Sequence, residues 1–323
     1  MQTYAKQLFD LLTAPGPRVP SLEQWLSDEV WSPRRFKTMT AQEYLESGEK
    51  IVKIAEELIL ASAPGVYDEL TAASESGGSL LDELETGNVA VVVFDGVSLR
   101  EFPLLIRLAE TTGFAVTKRA FRYAGLPSDT LAFIQQRLIG KRVGPSQLES
   151  RKELRDFGVV ARHYDTLIRN FDLPGDAKAF LLWSSFPDGT YTDFEARSSG
   201  HFETIVKQFD VAWKNVVMSI PRGFRIIVTS DHGYAYLNTG LESDLKAQRA
   251  LELLNNERFK IFEDSAAMNF GIPELQEIPQ RHTAMLRGKI KNRPQGPSGN
   301  KVFRHGGMSL MEMIVPTIEL QHL

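Results

Sequence analysis

Three fragments constrain this chain more than anything else in it. Each ends an apolar run that reads as a buried strand, and each ends it with an acid or an imidazole followed by glycine. They are Phe94-Asp95-Gly96 after Val89-Ala90-Val91-Val92-Val93, Ser230-Asp231-His232-Gly233 after Arg225-Ile226-Ile227-Val228-Thr229, and Arg304-His305-Gly306-Gly307 near the carboxyl end. Such a pattern delivers ligand atoms to the edge of a parallel sheet, where open α/β sheets bind what they bind. Carboxylate oxygen together with imidazole suits zinc, manganese or a similar divalent ion. Three deliveries of this kind predict a metal-dependent hydrolase.

The rest of the chain alternates in the way such a sheet requires. Residues 1–85 read as helical, with Tyr44, Ile51, Ile54, Leu58 and Ile59 at helical spacing and Pro15, Pro17 and Pro20 as breaks. Ser74–Ser79 is a joint by composition, and the domain boundary is expected at residue 86, giving a second region of 86–323. Beyond it, strands are predicted at Val89–Phe94, Phe114–Ala124, Ala179–Phe186, Arg225–Thr229 and Val315–Leu320. Helices are predicted at Leu99–Thr112, Thr130–Ile139, Phe202–Met218 and Ser309–Ile314, and 234–300 reads as irregular and polar. This order predicts an α/β fold, a three-layer α/β/α domain on a mostly parallel sheet, preceded by a helical segment.

Bulk properties narrow the function classes. A length of 323 residues suits one large domain with an appendage. The net charge of -4 gives no global field for nucleic acid, although Arg287–Arg293 is a local basic stretch. Without cysteine there is no disulfide, thiolate zinc site or cysteine nucleophile. The opening Met1–Lys6 has no signal-peptide pattern and no apolar run has membrane-spanning length, so a cytoplasmic protein without membrane contact is expected.

Each candidate has a plain alternative. Asp95 alone would read as an Asp-Gly turn residue. Asp231-His232 could be a cap with a satisfied imidazole, but the matching context of Asp95 favours ligation. His305 alone would be a surface histidine in a basic loop. Only six histidines occur, and two of them sit in these glycine contexts. Trp183, Trp213 and Phe209 read as core.

Val92-Val93-Phe94-Asp95-Gly96, Thr229-Ser230-Asp231-His232-Gly233-Tyr234 and the run from Arg304 to Pro316 together resemble the PglZ family of the alkaline phosphatase superfamily, over roughly residues 88–320. The resemblance implies a hydroxyl nucleophile opening the helix after the second strand. Leu126-Pro127-Ser128-Asp129-Thr130 occupies that place, so Thr130 is the expected nucleophile and Ser128 the runner-up. A hydroxyl there, beside a divalent ion, would be activated and would face a helix N-terminus. Capping by Ser128 or Asp129 is the plain alternative.

By the same resemblance, one ion is expected on Asp95, Thr130, Asp231 and His232, and a second on Asp188, His305 and Asp193. The usual Asp-x-x-Gly-His is absent after Asp188; Asp193 is the nearest acid to the missing ligand, and His201 is its alternative. Asp188 alone reads as a Pro-Asp-Gly turn. His163, Arg122, Arg281 and His282 lie near these motifs, with surface roles as their alternative. Zinc fits the ligand set, and manganese stays open.

The implied activity is hydrolysis of a phosphodiester, of nucleotide or nucleic-acid type, by one or two metal ions. The family name further implies protein partners in a bacterial phage-defence system. The competing class is a non-catalytic interaction subunit that keeps the fold and binds through its N-terminal helices. A phosphomutase or sulfatase of the same superfamily is a third reading, limited by the lack of cysteine.

Overall fold

The architecture follows from one strand. The structure, a computed structural model, describes residues 2–191, 200–264, 268–296 and 301–323. In it β1 (Val89–Phe94) is buried along its whole length. Its side chains divide between two cores by simple alternation. Ala90, Val92 and Phe94 enter one apolar cluster, and Val89, Val91 and Val93 enter another. A strand covered on both faces needs helices on both, and that produces three layers.

Helices precede it. They are α1 (Gln2–Thr13), α2 (Val19–Trp25), α3 (Pro33–Thr38), α4 (Ala41–Ser62), α5 (Gly65–Glu75) and α6 (Leu80–Glu85). The longest, α4, starts at a reciprocal cap. Thr40 Oγ1 accepts from Glu43 N–H (3.2 Å), and Glu43 Oε2 accepts from Thr40 N–H (3.0 Å). Its inner face carries Tyr44, Leu45, Ile51, Val52, Ala55 and Ile59 into the same cluster as Ala90, Val92 and Phe94. That face also buries Glu49 and Glu56 completely.

After β1 come α7 (Phe102–Thr111), β2 (Phe114–Tyr123), α8 (Thr130–Ile134), α9 (Lys152–Arg155), β3 (Val159–Tyr164), β4 (Ala179–Ser184), α10 (Asp188–Tyr191), α11 (Gly200–Val216) and β5 (Arg225–Thr229). The remainder comprises β6 (Ala235–Tyr236), α12 (Leu245–Leu253), β7 (Phe259–Ile261), β8 (Leu275–Ile278), β9 (Thr283–Leu286), β10 (Phe303–Arg304), α13 (Leu310–Met313) and β11 (Ile314–His322). The main sheet runs β2-β11-β5-β1-β4-β3. β5, β1, β4 and β3 pair in parallel, and β11 is antiparallel to both β5 and β2. The carboxyl ends of β5, β1 and β4 therefore open on one edge, side by side.

Several sequence expectations need correction. β3 was not expected, because Arg162 and His163 interrupt its apolar pattern. Residues 234–300 are not simply irregular. They contain α12 and a small antiparallel sheet, β7-β9-β8, around a third apolar cluster. The helix opened by Thr130 changes to π-helix over Gln135–Ile139 and stops at Gly140, whose φ of +69 is left-handed. The segment before α7 is a 3₁₀ turn over Leu99–Glu101.

Candidate metal centre and active site

Three parallel strands place the acids. Asp95 leaves β1, Asp231 and His232 leave β5, and Asp188 opens α10 after β4. The edge is stitched by backbone bonds. Asp95 N–H donates to Ser184 O, and Asp188 N–H donates to Asp95 O, both at 2.9 Å. Ser230 Oγ accepts from Val97 N–H (2.8 Å), and Asp231 Oδ1 accepts from Gly96 N–H (3.1 Å). Gly96 is required twice over: its φ is +79, and a Cβ there would strike the Tyr234 ring. A Cβ on Gly233 would fall onto the Met311 carbonyl.

Thr130 comes from a different layer. Asp129 caps α8, its carboxylate accepting from Ala132 N–H (2.6 Å). Thr130 is thereby the first helical residue, half-buried, with its hydroxyl turned to the acids. Thr130 Oγ1 donates to Asp231 Oδ2 at 2.6 Å and lies 3.4 Å from both Asp95 Oδ1 and His232 Nε2. Asp95, Asp231 and His232 present one ligand atom each within 4.8 Å of one another.

A second group shares His232. Ligand atoms of Asp188, His232 and His305 also lie within 4.8 Å of one another. The two imidazoles stack with centroids 4.1 Å apart. His305 is set by Nδ1 against Ser128 O (3.2 Å), and the Tyr234 hydroxyl donates to Asp188 Oδ1.

Burial governs the charges. It pushes the Asp95 carboxyl well above the usual range, and the neighbouring Asp231 and Asp188 add to the rise. Asp231 is raised by burial against the bonds from Thr130 and Gly96. Asp188 is raised by burial, against the opposing effects of His305, His232 and Lys301. His232 is pushed down to about 3, first by burial and then by His305. Its Nδ1 lies 3.1 Å from the Gly233 carbonyl and donates to it, leaving the Nε2 lone pair toward the acids. A neutral imidazole facing crowded, buried carboxylates is a donor set short of positive charge, and it fits a divalent cation.

The other expected residues fall elsewhere. Asp193 lies outside the described residues. His201 faces the Thr190 carbonyl (2.5 Å) and belongs to neither ligand group among the described residues. The Ser128 hydroxyl donates to Gly307 O (2.8 Å) and accepts from Gly306 N–H (3.0 Å), so it ties down the turn after His305. His163 bonds Ser185 Oγ (2.9 Å), Arg122 pairs with Glu83, and Arg281 and His282 form the turn between β8 and β9.

Sequence reasoning missed the supporting groups. Trp183 is buried, as expected of core, but its indole donates to Asp95 Oδ2 (3.1 Å). Glu312, in α13, accepts Gly307 N–H (2.8 Å) and pairs with the buried Arg258 (2.6 Å). Arg100 donates to the Tyr234 carbonyl (2.6 Å) and pairs with Glu49 of α4 (2.9 Å), which Lys289 also reaches. A charged residue at a helical core position, as at Glu49 and Glu56, is the one sequence signal that would have exposed this layer.

No curated protein matches this chain in sequence. Among solved structures it is similar to murine ectonucleotide pyrophosphatase/phosphodiesterase 5, both free and as an inactive form in complex with AMP. Each is 14% identical, covering 72% of this chain and 87% of the other, with TM-scores of 0.37 and 0.38. The human counterpart is 12% identical over the same shares, with a TM-score of 0.39. The family described as the BREX system PglZ alkaline phosphatase-like domain matches residues 191–320, the stretch that carries Asp231, His232 and His305. Over that stretch the chain is similar to the PglZ alkaline phosphatase-like domain, the family that its motifs resemble.

Proposed function

We propose that this protein is a metal-dependent phosphodiesterase in which Thr130 is the nucleophile. One observation carries the reading: a hydroxyl at a helix start donates at 2.6 Å to Asp231 within a ring of buried acids and a neutral imidazole. Asp95, Asp231 and His232 would hold one divalent ion, zinc in the first instance or manganese, and Asp188 and His305 would serve a second, with Asp193 its remaining candidate. When bound, such an ion supplies the positive charge that favours the ionised hydroxyl and offsets charge building on the phosphoryl oxygens.

The chain's own groups do the rest. Thr130 Oγ1 loses its proton to solvent and forms the Oγ1–P bond as the P–O bond to the first alcohol breaks. That alcohol leaves and takes a proton from solvent. Water then attacks phosphorus, the Oγ1–P bond breaks, and Thr130 recovers its proton as a phosphomonoester departs. The N-terminus of α8 faces the transferred anion with backbone N–H groups. Residues 86–323 form the catalytic unit in this reading, with 1–85 docked on it. A cytoplasmic place in a phage-defence assembly accompanies it, supported by the family description.

A second reading, a binding subunit without catalysis, is favoured by one feature: after Asp188 the chain continues Gly189-Thr190-Tyr191, without the Asp-x-x-Gly-His that the family resemblance implies. Metal analysis of purified protein, with bis(p-nitrophenyl) phosphate and p-nitrophenyl phosphate assayed in parallel, separates the two. The expected result is bound zinc or manganese, lost in the Asp231→Ala/His232→Ala double variant, and preference for the diester. Equal metal content in both proteins, or no diester turnover with metal supplied, gives the second reading the field.

A further inference from the structure

A basic cleft opens beside the ligand groups. Its volume is about 260 Å³, and Asn238, Lys291, Asn292, Arg293 and Lys301 line it. Three chain segments line it, 237–238, 291–293 and 301–302, and two of them run directly out of the site. One leads from His232 through β6 to Asn238, and the other from Lys301 through β10 to His305. They are zipped together, with Phe303 opposite Tyr236 and Arg304 opposite Ala235, and Leu237 N–H donates to Val302 O at 2.7 Å. Lys301 precedes His305 by four positions, about 13 Å of extended backbone.

Two features mark the cleft as a place of binding. Asn292 is only 3% exposed, and its amide is oriented by donating to the Asn256 carbonyl at 2.8 Å. That leaves its Oδ1 buried with no hydrogen-bond partner among the described residues. Buried acceptors are nearly always matched by a donor. The second feature is charge. Among the described residues neither Arg293 nor Lys301 enters an ion pair, while Lys291 pairs with the exposed Glu242, which Arg293 also influences.

The geometry points to a subsite for the substrate beyond its reacting phosphodiester: Arg293 and Lys301 take a further phosphate of a single-stranded oligonucleotide, and Asn292 Oδ1 accepts a base N–H or sugar O–H. This rests on the phosphodiesterase reading for the reacting phosphate, but binding tests it separately. Guanidinium and ammonium groups along a groove give affinity that weakens with salt, in proportion to the phosphates they neutralise.

The test uses the full chain in chelator, with a fluorescent oligothymidylate followed by anisotropy across a salt series. Wild type is expected to bind. Arg293→Ala/Lys301→Ala should weaken binding at least about tenfold at low salt and reduce the log–log salt slope by about one to two. Lys152→Ala/Arg155→Ala, the same charge change on α9, should bind like wild type. Asn292→Leu, with its melting curve as a fold control, should bind more weakly but keep the wild-type salt slope. Equal losses in the two charge variants, or no binding by wild type, overturn the subsite. Hydrolysis of bis(p-nitrophenyl) phosphate, which carries no further phosphate, reports the reacting site independently. Turnover without oligonucleotide binding sinks the subsite alone; binding with the expected variant pattern but no turnover sinks the phosphodiesterase reading alone.

Discussion

Two hydroxyls stand two residues apart, and their surroundings assign them different work. Thr130 Oγ1 is half-buried, at the centre of the acids. Ser128 is fully buried, with its hydroxyl engaged by Gly306 and Gly307. Thr130→Ala should lower diester turnover by at least about a thousandfold, because no other hydroxyl takes its place. Thr130→Ser should keep measurable turnover. Ser128→Ala should cost about 1–3 kcal/mol in stability through the unmatched Gly306 N–H, and its turnover should fall less than that of Thr130→Ala. Turnover and denaturant melts of the three variants settle the order; a dead Ser128→Ala beside an active Thr130→Ala would reverse the assignment. At this scale the sequence was most informative. The gathering of Asp95, Asp231, His232 and His305 was legible because each is an acid or imidazole that follows a strand and precedes a glycine motif. Trp183 and Tyr234 were not, because a buried aromatic looks alike whether or not its polar tip meets an acid.

Among the elements, α4 departs furthest from a simple amphipathic helix. Its buried face holds Glu49, paired with Arg100 at 2.9 Å and with Lys289, all three essentially without exposure. Arg100 in turn holds the carbonyl of Tyr234, whose hydroxyl bonds Asp188. Glu49→Ala strands two buried cations and should destabilise by about 3–5 kcal/mol, read by denaturant unfolding. Replacing all three residues with apolar ones of similar size should recover most of the loss; no recovery would mean that packing, rather than charge, explains it. The helical character of 1–85 was legible from periodicity, as were β1, β4 and β5 from their apolar runs. β3 and the small β7-β9-β8 sheet were not: Arg162 and His163 interrupt the apolar pattern of β3, and strands of three or four residues leave no period to read.

For the molecule as a whole, stability should depend on pH through Glu56. Burial raises its carboxyl from an ordinary 4.5 to about 7, against bonds from Leu310 N–H (2.7 Å) and Tyr67 Oη (2.9 Å). A raised folded value means that the folded state binds the proton more tightly. The contribution is complete below pH 4.5 and is lost as pH rises through 7, a change of about 3 kcal/mol. Glu56→Gln should remove this slope, so wild type minus variant should fall between pH 4.5 and 7; a flat difference would show that Glu56 does not govern it. The layered architecture was legible because strand-helix alternation permits few others. The place of the N-terminal helices was not, since a buried ion pair depends on partners far apart in the chain.

The link from Glu49 to Arg100 and Lys289 carries a historical consequence. The three positions are separated by 51 and 240 residues from end to end of the network, yet none can change sign alone without leaving an unmatched buried charge. Lineages should therefore lose or keep them together. The first 85 residues are then poor candidates for exchange between relatives, since a transplanted helix would arrive without the bases that its acid was selected against.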